Sequence, residues 1–314
     1  MRTMLLHEET EPITALCREF YNGVMRMRFC VCVTPFCNPG RKNPMINQKF
    51  YVIDAHCHIY PDKIAERAVA GTDVFYGTKA LCIGTVSDML EKAAEAGIDH
   101  TFVQSVATAP KQVKSINAFI ADAVANSGGT LTGLGTLHPD SEDQADDVKH
   151  LIELGLKGVK LHPDIQKFKI DDYRMLKIFD LCEEAGIPIL MHAGDDRYDY
   201  SNPNRMKPIL EIYKKLTIVG AHFGGWTVWD EAVRELSEFP NFYVDCSSSF
   251  PFISADKVGS LVETWGADKI LFGTDYPMWV PKKEVEALLS LGLSDGDYRK
   301  IFSENAKKVF ALTL

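Results

Sequence analysis

The stretch Ile53-Asp54-Ala55-His56-Cys57-His58 decides the reading of this chain. It closes a short apolar run with two histidines one residue apart. In an extended strand, positions i and i+2 point to the same face. His56 and His58 can therefore converge on one ion, as zinc and related metals require. A lone H-x-H says little; its weight comes from the strand ends further along the chain.

Those ends repeat the pattern. Strand candidates lie at 51–56, 100–106, 131–137, 158–162, 188–192, 217–222, 242–246 and 270–274. Several are continuous apolar runs, such as Ile187-Pro188-Ile189-Leu190-Met191, which suit strands covered on both faces. Polar residues stand at their ends: Lys160 and His162, then His192, His222 and Asp275. Glycines follow two of these ends, at Gly194 and at Gly224-Gly225, where the backbone must turn sharply. Helical stretches separate the strands at 87–96, 111–126, 141–154, 172–185, 204–215, 229–238 and 256–265. Ser87 with Asp88 and Ser141 read as opening residues. Gly97, Gly155, Gly186 and Gly266 read as stops. Segments 282–291 and 295–310 read as closing helices, and 59–86 as a long first connection carrying Tyr60, Phe75 and Tyr76.

Strand and helix alternating eight times predict an α/β fold, a (β/α)8 TIM barrel over residues 49–314. An open doubly wound sheet is the alternative. No G-x-G-x-x-G follows the first strand, and the polar residues come from many strands, so closure is favoured. In a barrel the active site sits at the C-terminal ends of the strands, where these polar residues fall.

Bulk properties bound the function. The 314 residues are 46% hydrophobic and 25% charged, with net charge -9. That is globular composition, and it lacks the concentrated basic face that nucleic acid requires. No apolar run approaches the ~18 residues of a membrane span, and the N-terminus does not read as a signal peptide. Eight cysteines are present; Cys57, Cys182 and Cys246 sit in packed segments and read as free thiols of a cytoplasmic protein. Residues 1–48 differ from the rest: six basic residues stand against four acidic ones, although the whole chain is at -9. They read as a poorly ordered extension, or as a start-site artefact with translation beginning at Met45. Cys30, Cys32 and Cys37 lack the paired spacing of a zinc module.

Five segments together resemble the amidohydrolase superfamily, and within it the amidohydrolase-2 branch that includes the aminocarboxymuconate-semialdehyde decarboxylase-like proteins. They are Ile53 to Pro61, Gly158-Val159-Lys160-Leu161-His162-Pro163, Met191-His192-Ala193-Gly194, Ala221-His222-Phe223-Gly224-Gly225 and Phe272-Gly273-Thr274-Asp275-Tyr276-Pro277. The resemblance runs from about residue 50 to about residue 310. It implies that His56, His58, His192 and Asp275 hold one divalent metal, zinc by preference and manganese as the alternative, with no organic cofactor. It implies that His222 stands beside the metal and helps to activate water, and that Asp275 or His222 carries the proton. Other branches use a carbamylated lysine on the fourth strand to bridge two metals. Lys160, with His162, is therefore a candidate for a second metal or for the substrate. Asp54 comes too early to be a ligand and is expected to brace the site from behind.

Tyr60, His138, Arg197, Trp226, Tyr276 and Trp279 are the expected pocket walls. Arg197 reads either as a carboxylate clamp or as the partner of Asp195 or Asp196. The favoured function is hydrolysis of a small-molecule amide, ester or lactone by metal-activated water. Nonoxidative decarboxylation of a small carboxylic acid is the alternative, and a noncatalytic metal-binding barrel the third. The partner is a small molecule, with neither nucleic acid nor membrane; a homodimer is compatible with the sequence, which nominates no interface.

Overall fold

The computed structural model describes residues 49–314. The extension, its three clustered cysteines and the Met45 start lie outside the described residues. Strands β1 (Ile53–His58) and β2 (His100–Gln104) lead to β3 (Leu131–Gly133) and β4 (Gly135–Thr136), two pieces of one barrel strand interrupted at Leu134. The ring continues through β5 (Val159–Leu161), β6 (Ile189–Met191), β7 (Ile218–Gly220), β8 (Phe242–Asp245) and β9 (Ile270–Leu271). All neighbours pair in parallel, in chain order. Leu134 N–H donates back to Val103, whereas Gly135 N–H donates forward to Gly158, so the interrupted strand joins both halves. The last strand returns to the first: Ala55 N–H donates to Phe272, and Asp275 N–H to His56, each at 2.8 Å. The expected (β/α)8 barrel is therefore found.

Among the described residues, twelve α-helices accompany the strands. They are α1 (Asp62–Tyr76), α2 (Val86–Ala96), α3 (Val113–Ala125), α4 (Gln144–Glu153), α5 (Pro163–Gln166) and α6 (Tyr173–Ala185). Then come α7 (Pro203–Ile212), α8 (Trp229–Leu236), α9 (Ala255–Trp265), α10 (Pro281–Leu289), α11 (Asp295–Arg299) and α12 (Asn305–Val309). Two expected caps are corrected. Thr85 caps α2 by accepting from Asp88 N–H, and Asp143 rather than Ser141 caps α4. The larger correction is α1. The first connection, expected as a loop, holds a helix of 15 residues that ends at Gly77 in the left-handed conformation (φ 65°).

The barrel interior is layered by chemistry. Ile53, Ala55, Phe102, Leu134, Leu190 and Val219 fill its lower part, and Phe310 and Ala306 of the C-terminal helix plug it. Burying each such large apolar side chain is worth about 1.5–3 kcal/mol, which secures the ring beneath the polar layer. A second apolar shell, with Ile189, Met191, Ile218 and Phe242, lies between strands and helices. Alternation along each strand thus sends one apolar set inward and one outward. Cys57, Cys82, Cys182 and Cys246 are free thiols. No described helix is long and apolar enough to cross a membrane.

Candidate functional site

Where the apolar filling ends, inward positions turn polar. His56 and His58 end β1, Lys160 sits within β5, Asp245 ends β8, His162 and His192 follow β5 and β6 directly, and His222 and Asp275 lie in the loops just past β7 and β9. A register shift in β1 between Asp54 and Cys57 turns both histidines inward. Gly273 makes room for them: a Cβ there would stand 2.8 Å from the Cβ of His56. Gly194 lets two loops meet, since its Cβ would lie 2.4 Å from the Gly225 backbone.

His56 is oriented from behind. Its Nδ1–H donates to Asp245 Oδ2 at 2.8 Å, which turns the Nε2 lone pair into the cavity. Asp245 Oδ1 accepts from the backbone N–H groups of His222 (3.1 Å) and Ser247 (3.0 Å), so one carboxylate braces two histidines. Asp54 lies below, accepting from His56 N–H at 3.1 Å and from Thr274 N–H at 3.0 Å. Asp275 Oδ2 accepts from Ser248 Oγ at 2.6 Å, and Trp279 Nε1–H donates to the same hydroxyl at 2.7 Å. His222, Ser248 and Asp275 all hold positive φ, at 59°, 48° and 57°. Such strain in non-glycine residues gathers where a structure over-determines a working site.

The donor atoms converge. His56 Nε2 lies 3.2 Å from His58 Nε2, and Asp275 Oδ1 lies 3.3 Å and 3.6 Å from those nitrogens. Donors around a tetrahedral ion at about 2.0–2.1 Å stand about 3.3 Å apart, so this trio fits a divalent cation. Lys160 Nζ donates to His56 Nε2 at 2.9 Å, next to the same point. His192 is turned differently. Its Nδ1 meets His222 Nε2 at 3.1 Å, and its Nε2 faces Tyr76 Oη at 3.4 Å. His162 stacks on His192 with ring centres 3.9 Å apart, and its Nε2 meets Tyr76 Oη at 2.7 Å. His162, Asp164 and His192 form another converging trio, in which Asp164 Oδ1 has no hydrogen-bond partner among the described residues.

Burial sets the protonation of the cluster. It pulls the His222 imidazolium down to about 4, and lowers His56, His58, His162 and His192 well below the usual histidine value. These rings are neutral, as metal ligands must be. Burial also draws the Lys160 ammonium down to about 8, against the pull of Asp245 and Asp275. It pushes the Asp275 carboxyl up to about 7, opposed by the Ser248 hydrogen bond and by Lys160.

Above this floor opens a cavity of about 680 Å³. Tyr60, Trp226 and Trp279 line it. The other expected wall residues do not. Tyr276 is fully buried behind the floor, its hydroxyl donating to Asp88 at 2.6 Å. The ring of His138 is taken up by its own loop, accepting from Asp140 N–H at 3.1 Å. Arg197 is committed to structure: it forks onto buried Asp195 at 2.9 and 2.7 Å and donates to the Phe75 carbonyl at 2.8 Å. The sequence reading missed Asp245, Ser247, Ser248, Phe252 and the inward role of Tyr76. The signal for Asp245 was present, as the polar end of an expected strand.

The family model described as Amidohydrolase matches residues 53–312. No curated protein matches the chain. Among solved structures, an uncharacterised TIM-barrel protein from Bordetella bronchiseptica aligns with TM-score 0.71 and 21% identity, covering 83% of this chain and 99% of that one. The 5-carboxyvanillate decarboxylase of Sphingomonas paucimobilis aligns with TM-score 0.66 and 15% identity, covering 84% and 100%. A dihydroxybenzoic acid decarboxylase from a Polaromonas species, with bound manganese and the inhibitor 2-nitroresorcinol, aligns with TM-score 0.65 and 16% identity, covering 84% and 97%.

Proposed function

We propose a reaction on one premise: the chain belongs to the amidohydrolase family, whose model spans most of it, and is a metal-dependent enzyme. The reaction is nonoxidative decarboxylation of a small planar carboxylic acid, which reverses the order of preference that the sequence suggested. One observation carries this reading. The cavity is walled by aromatic and aliphatic side chains, and it is lined by Lys160, Arg67 and Lys167 against a single carboxylate, Asp275, among the described residues. Such a lining selects an anion with a flat apolar body. The names of the two decarboxylases of like fold agree with it.

His56, His58 and Asp275 would hold the metal, with His192 beside them. A divalent cation there supplies the positive charge that fixes the acid's oxygens and steadies the negative charge of the reacting acid. The protein's own groups do the rest. Asp245 keeps His56 in one tautomer and orientation. Trp226, Phe252 and Trp279 meet edge to face, with ring centres 5.4 and 5.6 Å apart, and form one apolar wall of the cavity. Asp275 relays a proton from solvent to the carbon that bears the carboxyl group. The carbon–carbon bond then breaks, its electron pair stays on that carbon, and carbon dioxide leaves. The Asp275 carboxylate regains a proton from solvent.

The test is turnover of a panel of hydroxybenzoates and vanillate-type acids by manganese- and zinc-loaded protein in D2O. The expected result is release of carbon dioxide with one deuterium on the former carboxyl-bearing carbon. Asp275→Asn, which removes the proton carrier and a metal-binding carboxylate together, should cost at least about 100-fold. Turnover of amides, esters or lactones instead, with no carbon dioxide, would restore hydrolysis as the function.

A further inference from the structure

The cavity is too large for a single ring. At about 680 Å³ it exceeds several-fold the roughly 150 Å³ that accommodates benzene. It falls in the range that takes a drug-sized ligand. Away from the polar floor its lining includes apolar residues of α1 and α3: Ile64, Val69, Ile116 and Phe119. Two of the lining residues are exposed cations, Arg67 of α1 and Lys167, which caps the C-terminus of α5. Neither enters an ion pair or a side-chain hydrogen bond among the described residues. Asp275 on the floor is the single carboxylate among the described lining side chains, in a chain whose net charge is -9. An exposed cationic pair on an acidic protein, beside apolar walls, is matched by an anion carried on an apolar stem.

We infer that the substrate is two-ended. The reacting acid sits on the floor, an apolar or aromatic spacer fills the middle, and a second carboxylate reaches Arg67 and Lys167. This rests on the proposed function, which seats an acid at the floor. The pair contributes specificity rather than chemistry. Its charges are solvated, so each contact is modest, and its effect fades as salt rises.

The experiment uses the full metal-loaded chain and calorimetric binding of paired probes of increasing length. These are benzoate with benzene-1,4-dicarboxylate, biphenyl-4-carboxylate with biphenyl-4,4′-dicarboxylate, and the terphenyl pair. At one length the diacid should bind about tenfold tighter than its monoacid at low salt, two exposed contacts contributing a few-fold each. The double variant Arg67→Gln/Lys167→Gln should lose that advantage, and salt should erode it in the wild type. An advantage at none of the three lengths, or one that survives the double variant, overturns the inference. Metal-dependent binding of the monoacids alone would leave the proposed function standing while the second anion falls. Failure of every acid to bind removes both.

Discussion

The floor of the site and the helix that covers it are built on opposite principles. The floor is made of strand ends. His56, Lys160, Asp245 and Asp275 hang from a closed ring of backbone hydrogen bonds, and buried partners orient them, Asp245 for His56 and Ser248 for Asp275. The cover is α1, a helix with buried residues at Ala65 and Val69 and with Val74 left 84% exposed. A side-chain clamp holds its end. The Arg197 guanidinium lies 5.2–5.5 Å from the ring centres of Phe75, Tyr76, Tyr198 and Trp226. The floor cannot shift without opening the barrel, whereas the cover can shift by breaking the Arg197 cluster and the contacts of Tyr76 Oη with His162 and His192. Precision is kept where donors must converge, and mobility is allowed where a ligand must enter.

The comparison breaks most severely at Asp245. Asp245→Asn removes the charge that holds the His56 tautomer and puts an amide where an acceptor is needed. Loss of such a bracing carboxylate costs about 10–100-fold in metal affinity. Competition with a chelating dye measures this directly. A change of less than twofold would mean that Ser247, whose hydroxyl lies 3.1 Å from His56 Nδ1, suffices to orient the ring.

The cover should respond differently. Arg197→Met removes the clamp and strands the buried Asp195 carboxylate. Each cation–ring contact at a partly exposed site is worth about 0.5–1 kcal/mol, so local opening of α1 should rise roughly tenfold or more. Hydrogen exchange over residues 62–76 should quicken, KM should rise, and metal content should hold at the wild-type level. Equal acceleration of exchange in the strands would show that floor and cover are one unit.

The same division explains what the sequence made legible. His56, His58, Lys160, His192, His222 and Asp275 were visible because a polar residue at the end of an apolar run is anomalous, and the anomaly recurred from strand to strand. Asp245 obeys the same rule, and asking every strand for its inward polar end would have found it. Tyr276 lies beyond the last strand, after Asp275 in the left-handed conformation, so strand alternation could not tell which way it faces. The cover was harder to see. Helix α1 carries Gly71 in its body, has no side-chain cap at Pro61 and buries a narrow stripe. The Arg197–Asp195 pair was one of the two readings the sequence offered, but the meeting of Arg197 with Phe75 and Trp226 is announced by no spacing in the chain.

A last test, one that should leave turnover almost untouched, asks whether the rigidity of the floor carries an electrostatic cost. Glu284 of α10 is buried behind it, and its Oε2 has no hydrogen-bond partner among the described residues. Burial pushes its carboxyl from 4.5 up to about 8, with Asp275 and Asp54 adding to the rise. Below pH 4.5 the group is protonated in both folded and unfolded chains and costs nothing. Between 4.5 and about 8 the unfolded chain releases the proton while the folded chain keeps it, so stability falls as pH rises. Above about 8 the full cost is present, about 1.4 kcal/mol for each pH unit between the unfolded and folded titrations. Glu284→Gln removes the ionisation and keeps the shape. It should raise Tm by several degrees at pH 9 and leave it nearly unchanged near pH 4.5, with turnover close to wild type. An equal rise in Tm at both pH values would assign the effect to packing, and the floor would then be rigid without a buried charge working against it.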